Sequence, residues 1–117
     1  MNQPRVLSTS TLTGDDVVNR EEAKLGNLKD LMIDLDHGRI AYAVLSRGGL
    51  AGLGEKLFAV PWVLFEVDGD SHRLILDLSE DVLDNSPGFD PDHWPSFGDR
   101  EWATQVHEHY GLAPYWT

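Results

Sequence analysis

A glycine-rich stretch, GGLAGLGEKLFAVPW, occupies residues 48–62 and contains the residue types that cradle phosphate in nucleotide-binding proteins. A P-loop needs two glycines five positions apart, then lysine and a serine or threonine, between a strand and a helix. Gly49 and Gly54 have this spacing, but Glu55 occupies the lysine position, and its carboxylate would repel a phosphate. The residues that follow are typical of a strand. The stretch is therefore interpreted as a connection between strands and not as a phosphate site.

Two leucines in this connection, Leu50 and Leu53, indicate a different use for it. Apolar side chains at the tip of a loop stay in water unless a partner covers them. We predict that both leucines contact another protein.

The histidines and carboxylates are candidates for metal binding or acid–base catalysis. His107 and His109 are two residues apart in a predicted helix, which directs their side chains to roughly opposite sides. A metal site assembled from His93, His107 or His109 with Asp90 or Asp92 is left as an alternative. No serine stands in the G-x-S-x-G context of a hydrolase nucleophile. We predict no enzyme activity, no catalytic or metal residues and no cofactor.

Composition restricts the classes of partner. The chain has 117 residues, enough for one domain, and it contains no cysteine, so disulfides and thiolate metal sites are impossible. Its net charge is −11, and Arg100 is the single basic residue after position 78. Such a surface repels a phosphate backbone, so we predict no direct nucleic-acid binding.

Five or six short strands are predicted over the first two thirds of the chain. Alternating or continuous apolar runs between turn signals indicate them. They cover residues 28–36, 39–47, 56–60, 63–68 and 72–78, with a short one around Val17 and Val18. No connection is long enough for a crossover helix, so antiparallel pairing is expected, and a small closed barrel would leave no exposed edges.

Residues 79–117 differ in character from the rest. Ser79 is a possible N-cap of one helical turn, and one short helix is predicted between Asp99, its N-cap, and Gly111. Seven of the eleven aromatic residues follow Gly88. Because rings are costly to leave in water, we predict an ordered, acidic extension. It would pack either on a barrel formed by residues 1–78 or on a second subunit.

A homodimer is predicted from this aromatic extension on so small a barrel. Stable interfaces have aromatic anchors near their centre. The candidates, besides the two loop leucines, are Trp62, Trp94, Trp102, Tyr115 and Trp116. A protein client of unknown identity is a further expected partner.

The stretch from residue 26 to residue 62 resembles the PRC-barrel family. The resemblance is carried by the glycine-led strand from Gly26, Asp34 with the turn at 36–38, the strand at 42–46, the glycine connection and KLFAVPW. It extends over about residues 7–78, and the segments DHWP, DREWATQVHEHYG and PYW are similar to those of small free-standing bacterial members. The family includes the cytoplasmic domain of the photosynthetic reaction-centre H subunit and the C-terminal domain of a ribosome-maturation factor.

The resemblance implies a mainly β fold, a small antiparallel PRC-type barrel used for protein contacts, with no known catalytic centre. A ribosome or RNA-processing assembly factor that acts through a basic protein is one alternative. A barrel that binds a small ligand or a metal is the other. No apolar run is long enough for a signal peptide or a membrane span, and we predict a cytoplasmic protein.

Overall fold

The computed structural model describes residues 5–48, 54–68 and 71–116. Within these ranges it contains seven strands, three α-helices and one 3-10 helix. The strands are β1 (Asp16–Val18), β2 (Lys24–Asp34), β3 (Arg39–Arg47), β4 (Lys56–Pro61), β5 (Phe65–Asp68), β6 (Arg73–Leu76) and β7 (Gly88–Phe89). The α-helices are α1 (Thr9–Leu12), α2 (Glu80–Asp84) and α3 (Arg100–His109), and the 3-10 helix covers Trp62–Leu64.

The strands form one open sheet rather than the closed barrel of five or six strands that the sequence predicted. Its order is β5-β6-β1-β2-β3-β4-β7, and the described end strands β5 and β7 do not pair with each other. Pairing is antiparallel except between β1 and β6, which are parallel. The barrel prediction was wrong because the extension supplies β7, which occupies the edge of β4 that closure would have used.

The helices also differ from the prediction of a single short one. The predicted turn after Ser79 is α2, and the Ser79 hydroxyl accepts a hydrogen bond from the Val82 amide at 3.3 Å. The helix predicted between Asp99 and Gly111 is α3, with Asp99 as its N-cap. Helix α1 was not anticipated, because it has only four residues and three of them, Thr9, Ser10 and Thr11, have low helix propensity.

The hairpin between β2 and β3 is fixed by Asp34. Its carboxylate Oδ1 accepts hydrogen bonds from the amides of Asp36, at 3.1 Å, and His37, at 3.2 Å. Gly38 has a φ of +62°, which glycine adopts without strain. These contacts hold the tip of the hairpin, and with it Leu35, at one end of the sheet.

Strand β3 is buried on both faces of the sheet. Successive side chains of a strand point to opposite faces, so Ala43 and Leu45 enter one core while Tyr42 enters another. The first core contains mostly sheet residues, with Leu83 of α2. The second core lies between the sheet and the extension, and it includes Val106 of α3. The extension therefore packs against the sheet of its own chain.

Strand β2 approaches β3 closely at Gly26. A Cβ added to this glycine would collide with the carbonyl oxygen of Ser46, and the φ of Gly26 is +156°. Only glycine satisfies both conditions at this point of the ladder.

No helix among the described residues is long and apolar enough to cross a membrane.

Candidate interaction surface

An aromatic cluster surrounds Tyr42 where the extension meets the sheet. Tyr42 is 1% exposed. Its ring lies edge-on to the rings of Phe97, Trp102, His107 and Tyr115, with centroids 5.5 to 5.8 Å apart. Such edge-to-face contacts stabilise aromatic pairs beyond the area that they bury. The rings of the extension are thus largely committed to contacts within the chain.

The last described residues are held in place by hydrogen bonds. The Arg39 guanidinium donates to the Tyr115 carbonyl at 3.0 Å and lies 4.8 Å from the centre of the Tyr115 ring. The Tyr115 amide donates to Nε2 of His107 at 3.3 Å. Nδ1 of His107 lies 2.7 Å from the Ala103 carbonyl, which can only accept, so Nδ1 donates this bond while Nε2 accepts the other.

Three of the predicted interface residues lie in or beside this cluster. Trp102 is half-buried, and its ring lies 4.9 Å from Phe97. Trp116 is half-buried between His107, at 5.7 Å, and the Arg100 guanidinium, at 5.8 Å. Tyr115, the third, also contacts its own chain, as described above.

Of the remaining candidates, Trp94 lies further out, with its ring 6.2 Å from Phe97, and Trp62 packs against the first core. Trp62 is half-buried at the edge of the first core and stacks on Phe65 at 5.5 Å. Trp94 is 38% exposed, and its indole nitrogen donates to the Pro91 carbonyl at 2.7 Å. Leu50 and Leu53 lie outside the described residues. The structure therefore does not bring the predicted candidates together on one exposed face, and their role in an interface stays a prediction.

A cleft of about 330 Å³ lies between the β2–β3 hairpin and the extension. Apolar and aromatic side chains form much of its wall, and charged side chains of both signs complete it. The lining residues are Met32, Ile33, Asp34, Asp36, His37, Ala41, Tyr42, Phe97, Gly98, Arg100, Ala103, Tyr115 and Trp116. The cleft thus contains the carboxylate that fixes the hairpin and part of the aromatic cluster.

Two groups in the cleft, Asp34 and Tyr115, have shifted pKa values, through burial and through hydrogen bonds that include one between them. Partial burial alone would raise the pKa of Asp34, but hydrogen bonds from the His37 backbone and the Tyr115 hydroxyl lower it. Burial, and then the bond to Asp34, raise the pKa of Tyr115. Asp34 is thus ionised at neutral pH and has its acceptor sites filled.

Tyr42, unlike Asp34 and Tyr115, has a side-chain polar atom without a hydrogen bond in the described part of the chain. Its hydroxyl is buried and has no hydrogen-bond partner among the described residues. Burial, followed by the nearby Tyr115, raises the pKa of Tyr42 well above its usual value. The hydroxyl is therefore neutral at any physiological pH.

The two charges at the mouth of the cleft are exposed. Neither the Asp36 carboxylate nor the Arg100 guanidinium has an opposite charge within 4.0 Å among the described residues. By contrast, Arg47 binds both Glu80 and Asp84, at 3.0 and 2.9 Å. Asp36 and Arg100 therefore keep their charges available to a partner.

Exposed apolar side chains lie at the same end of the sheet. Leu35 is 88% exposed, Val63 is 75% exposed and Ile33 is 47% exposed. Ile33 pairs with Ile40 near the start of β3, and Val63 lies two residues after Pro61, the partner of Tyr42. None of these three residues was predicted from the sequence to lie in an interface. Leu35 carried a usable signal, because it is an apolar residue between two aspartates in a turn.

Two histidines of the alternative metal site, His107 and His109, have hydrogen-bond partners within the chain. No group of three histidine or acidic side chains in the described ranges lies close enough together to hold a metal. Both ring nitrogens of His107 are hydrogen-bonded, and Nε2 of His109 lies 2.8 Å from the Val82 carbonyl.

A second groove, of about 410 Å³, has only acidic charges. It lies beside the start of α2, and its charged lining residues are Glu21, Asp77, Glu80 and Asp81. Arg20 and Arg47 contact Asp77 and Glu80 from outside the groove, at 3.5 and 3.0 Å.

Comparison with known proteins finds a match to one protein-family model and matches to solved structures. The model of the PRC-barrel domain matches residues 4–83. No curated protein matches the chain. Among solved structures, RimM from Pseudomonas aeruginosa, described as a 16S ribosomal RNA processing protein, is 18% identical, with a TM-score of 0.45. The alignment covers 64% of this chain and 45% of that one, so the chain spans less than half the length of RimM.

Proposed function

The chain belongs to the PRC-barrel domain family, and on that premise we propose that it is a non-enzymatic protein-interaction module that assembles as a homodimer. The resemblance seen in the sequence is confirmed by the family match, whereas the function and the oligomeric state are our inference.

The group of exposed apolar side chains at one end of the sheet carries the proposal. Leu35 and Val63 are both more than two-thirds exposed, although most other large apolar residues in the described ranges are buried or half-buried. Exposed apolar groups that lie near one another are typical of protein-binding surfaces. This end of the sheet is therefore the surface at which we expect the homodimer contact.

Sedimentation equilibrium tests the homodimer. At high micromolar concentration we expect a particle of twice 13.1 kDa that dissociates on dilution. A compact 13.1 kDa particle throughout the concentration range would refute it.

A second candidate function is assembly of ribosomes or of an RNA-processing complex through a basic protein. The acidic groove beside α2 favours it, because it has no basic lining residue, and two of its four carboxylates, Glu21 and Asp81, have no ion-pair partner among the described residues and attract a positively charged segment. Sucrose-gradient centrifugation of a lysate tests it. We expect the chain in the ribosomal fractions at low salt and in the light fractions at high salt. Recovery only in the light fractions at low salt would count against this function.

A further inference from the structure

We propose that a second copy of this chain binds at the cleft between the hairpin and the extension, with Leu35 of each copy seated in the cleft of the other. The inference rests on the homodimer proposed above, and it names the contact that holds the homodimer together.

The shape of this surface fits a two-fold arrangement. Leu35 is 88% exposed and stands between Asp34 and Asp36, both of which line the cleft. The protruding side chain and the hollow are therefore neighbours at one end of the sheet. In a two-fold symmetric dimer each copy presents the same patch, so each can insert its leucine and receive the other.

The walls of the cleft suit a leucine side chain. Met32, Ala41, Phe97 and Trp116 are among its lining residues, and Ile33 lies at its border with 47% exposure. A leucine that enters such a hollow transfers its apolar surface from water to an apolar wall, which is favourable in both copies.

Charge selects this surface over the acidic groove. Two copies of a chain with a net charge of −11 repel each other, so contact is favoured where charges of both signs are present. The acidic groove has only carboxylates, whereas the cleft has Asp36 and Arg100 at its mouth, neither of them ion-paired among the described residues. Across a two-fold axis, Asp36 of one copy faces Arg100 of the other.

The first test replaces the inserted side chain. Leu35→Asp places a charge in the apolar cleft, and we expect the dissociation constant of the dimer to rise at least roughly tenfold. Val6→Asp is the matched control, because Val6 is 86% exposed, gains the same charge and lies outside the cleft lining. Val6→Asp is expected to stay close to wild type.

The second test reverses the two charges. Asp36→Arg and Arg100→Asp should each weaken the dimer, because each places like charges opposite one another across the axis. The double variant restores an opposite-charge pair and should bring the dissociation constant back toward wild type. If the double variant weakens the dimer by the sum of the two single free-energy changes, the pairing of Asp36 with Arg100 across the axis is refuted.

The outcomes separate the two proposals. If wild type is monomeric at high micromolar concentration, the homodimer itself is wrong. If wild type is a dimer and Leu35→Asp dissociates no more than Val6→Asp, the homodimer stands and its placement at the cleft is wrong.

Discussion

Tyr42 combines nearly complete burial in the second core with an unsatisfied polar atom. Four rings hold its aromatic ring on the sheet, yet its hydroxyl has no hydrogen-bond partner in the described part of the chain. A buried hydroxyl without a partner loses its hydration and gains nothing in return. The ring therefore stabilises the fold while its hydroxyl lowers that stability.

Tyr42→Phe should raise the free energy of unfolding by about 1 kcal/mol, because it removes only the unsatisfied hydroxyl. Urea denaturation followed by tryptophan fluorescence measures the change. Tyr115→Phe is the matched substitution with the opposite expectation, since the Tyr115 hydroxyl donates to Asp34. A loss of stability in Tyr42→Phe would show that its hydroxyl has a partner after all.

The lowered pKa of Asp34 predicts a dependence of stability on pH. The folded protein binds fewer protons at this carboxylate than the unfolded chain does, so the stabilisation is present above the ordinary aspartate pKa of about 3.9. It is lost as the pH falls through the lower folded value. Asp34→Asn should therefore be less stable than wild type near neutral pH, and the difference should shrink in acid.

Urea denaturation at a series of pH values from about 6 to about 2 tests this expectation. Asp92→Asn is the control, because Asp92 is exposed and lies outside the cleft lining. A gap between Asp34→Asn and wild type that stays constant down to the lowest pH would contradict the assignment.

At the scale of elements, the β2–β3 ladder depends on the close approach at Gly26. Ser46 pairs with Asn27, the next residue along β2, and its carbonyl oxygen fills the space that a side chain at position 26 would need. The two longest described strands are thus joined at a point where only hydrogen fits.

Gly26→Ala should destabilise the fold by about 3 kcal/mol, since it adds a backbone collision to an unfavourable φ. Gly14→Ala isolates the conformational part of this cost. Gly14 has a φ of +93° but nothing within 4 Å of an added Cβ, so about 1 kcal/mol is expected there. Thermal unfolding measures the loss of stability in each variant. Equal losses in the two variants would show that the collision with the Ser46 carbonyl contributes nothing to the cost of Gly26→Ala.

Elements whose signals are local could be predicted from the sequence. The turn residues after Asp34 and the N-cap at Asp99 are each read from a few neighbouring positions, and both lie where expected. The contributions of Gly88 and Phe89 could not be read in this way. Their strand depends on pairing with Leu57 and Phe58, and no pattern within GF indicates it.

The candidate site was harder to predict than the fold, because it depends on contacts between residues that are distant in the sequence. Aromatic residues in the extension were expected either to pack on the sheet or to face a partner, and composition cannot distinguish these two fates. The cleft depends on residues that are far apart along the chain, such as Asp34 and Tyr115. Its existence follows only from the way the extension folds back.

For the whole molecule, the extension serves as the cover of one sheet face. Removing residues 79–117 would expose Tyr42 and Ala59 and would also uncover the edge of β4. Exposed apolar faces and unpaired edges promote aggregation. We therefore expect the shortened chain to aggregate, as measured by light scattering at a concentration where wild type stays clear.

A milder truncation serves as the control for this prediction. Removing the residues after Gly111 takes away Tyr115 and Trp116 but keeps α3 and β7, so an intermediate loss of stability without aggregation is expected. A chain of residues 1–78 that stays dispersed and as stable as wild type would show that the sheet does not need its cover.

The hydrogen bond between Arg39 and Tyr115 has a consequence for folding during synthesis on the ribosome. It joins residues 76 positions apart, so the sheet face around Tyr42 cannot be closed until nearly all of the printed sequence has left the ribosome. Contacts this distant along the chain form slowly, because a long loop must close first. During synthesis the aromatic and leucine side chains of the nascent hairpin would therefore stay exposed to solvent. A chaperone could bind them until the extension covers them.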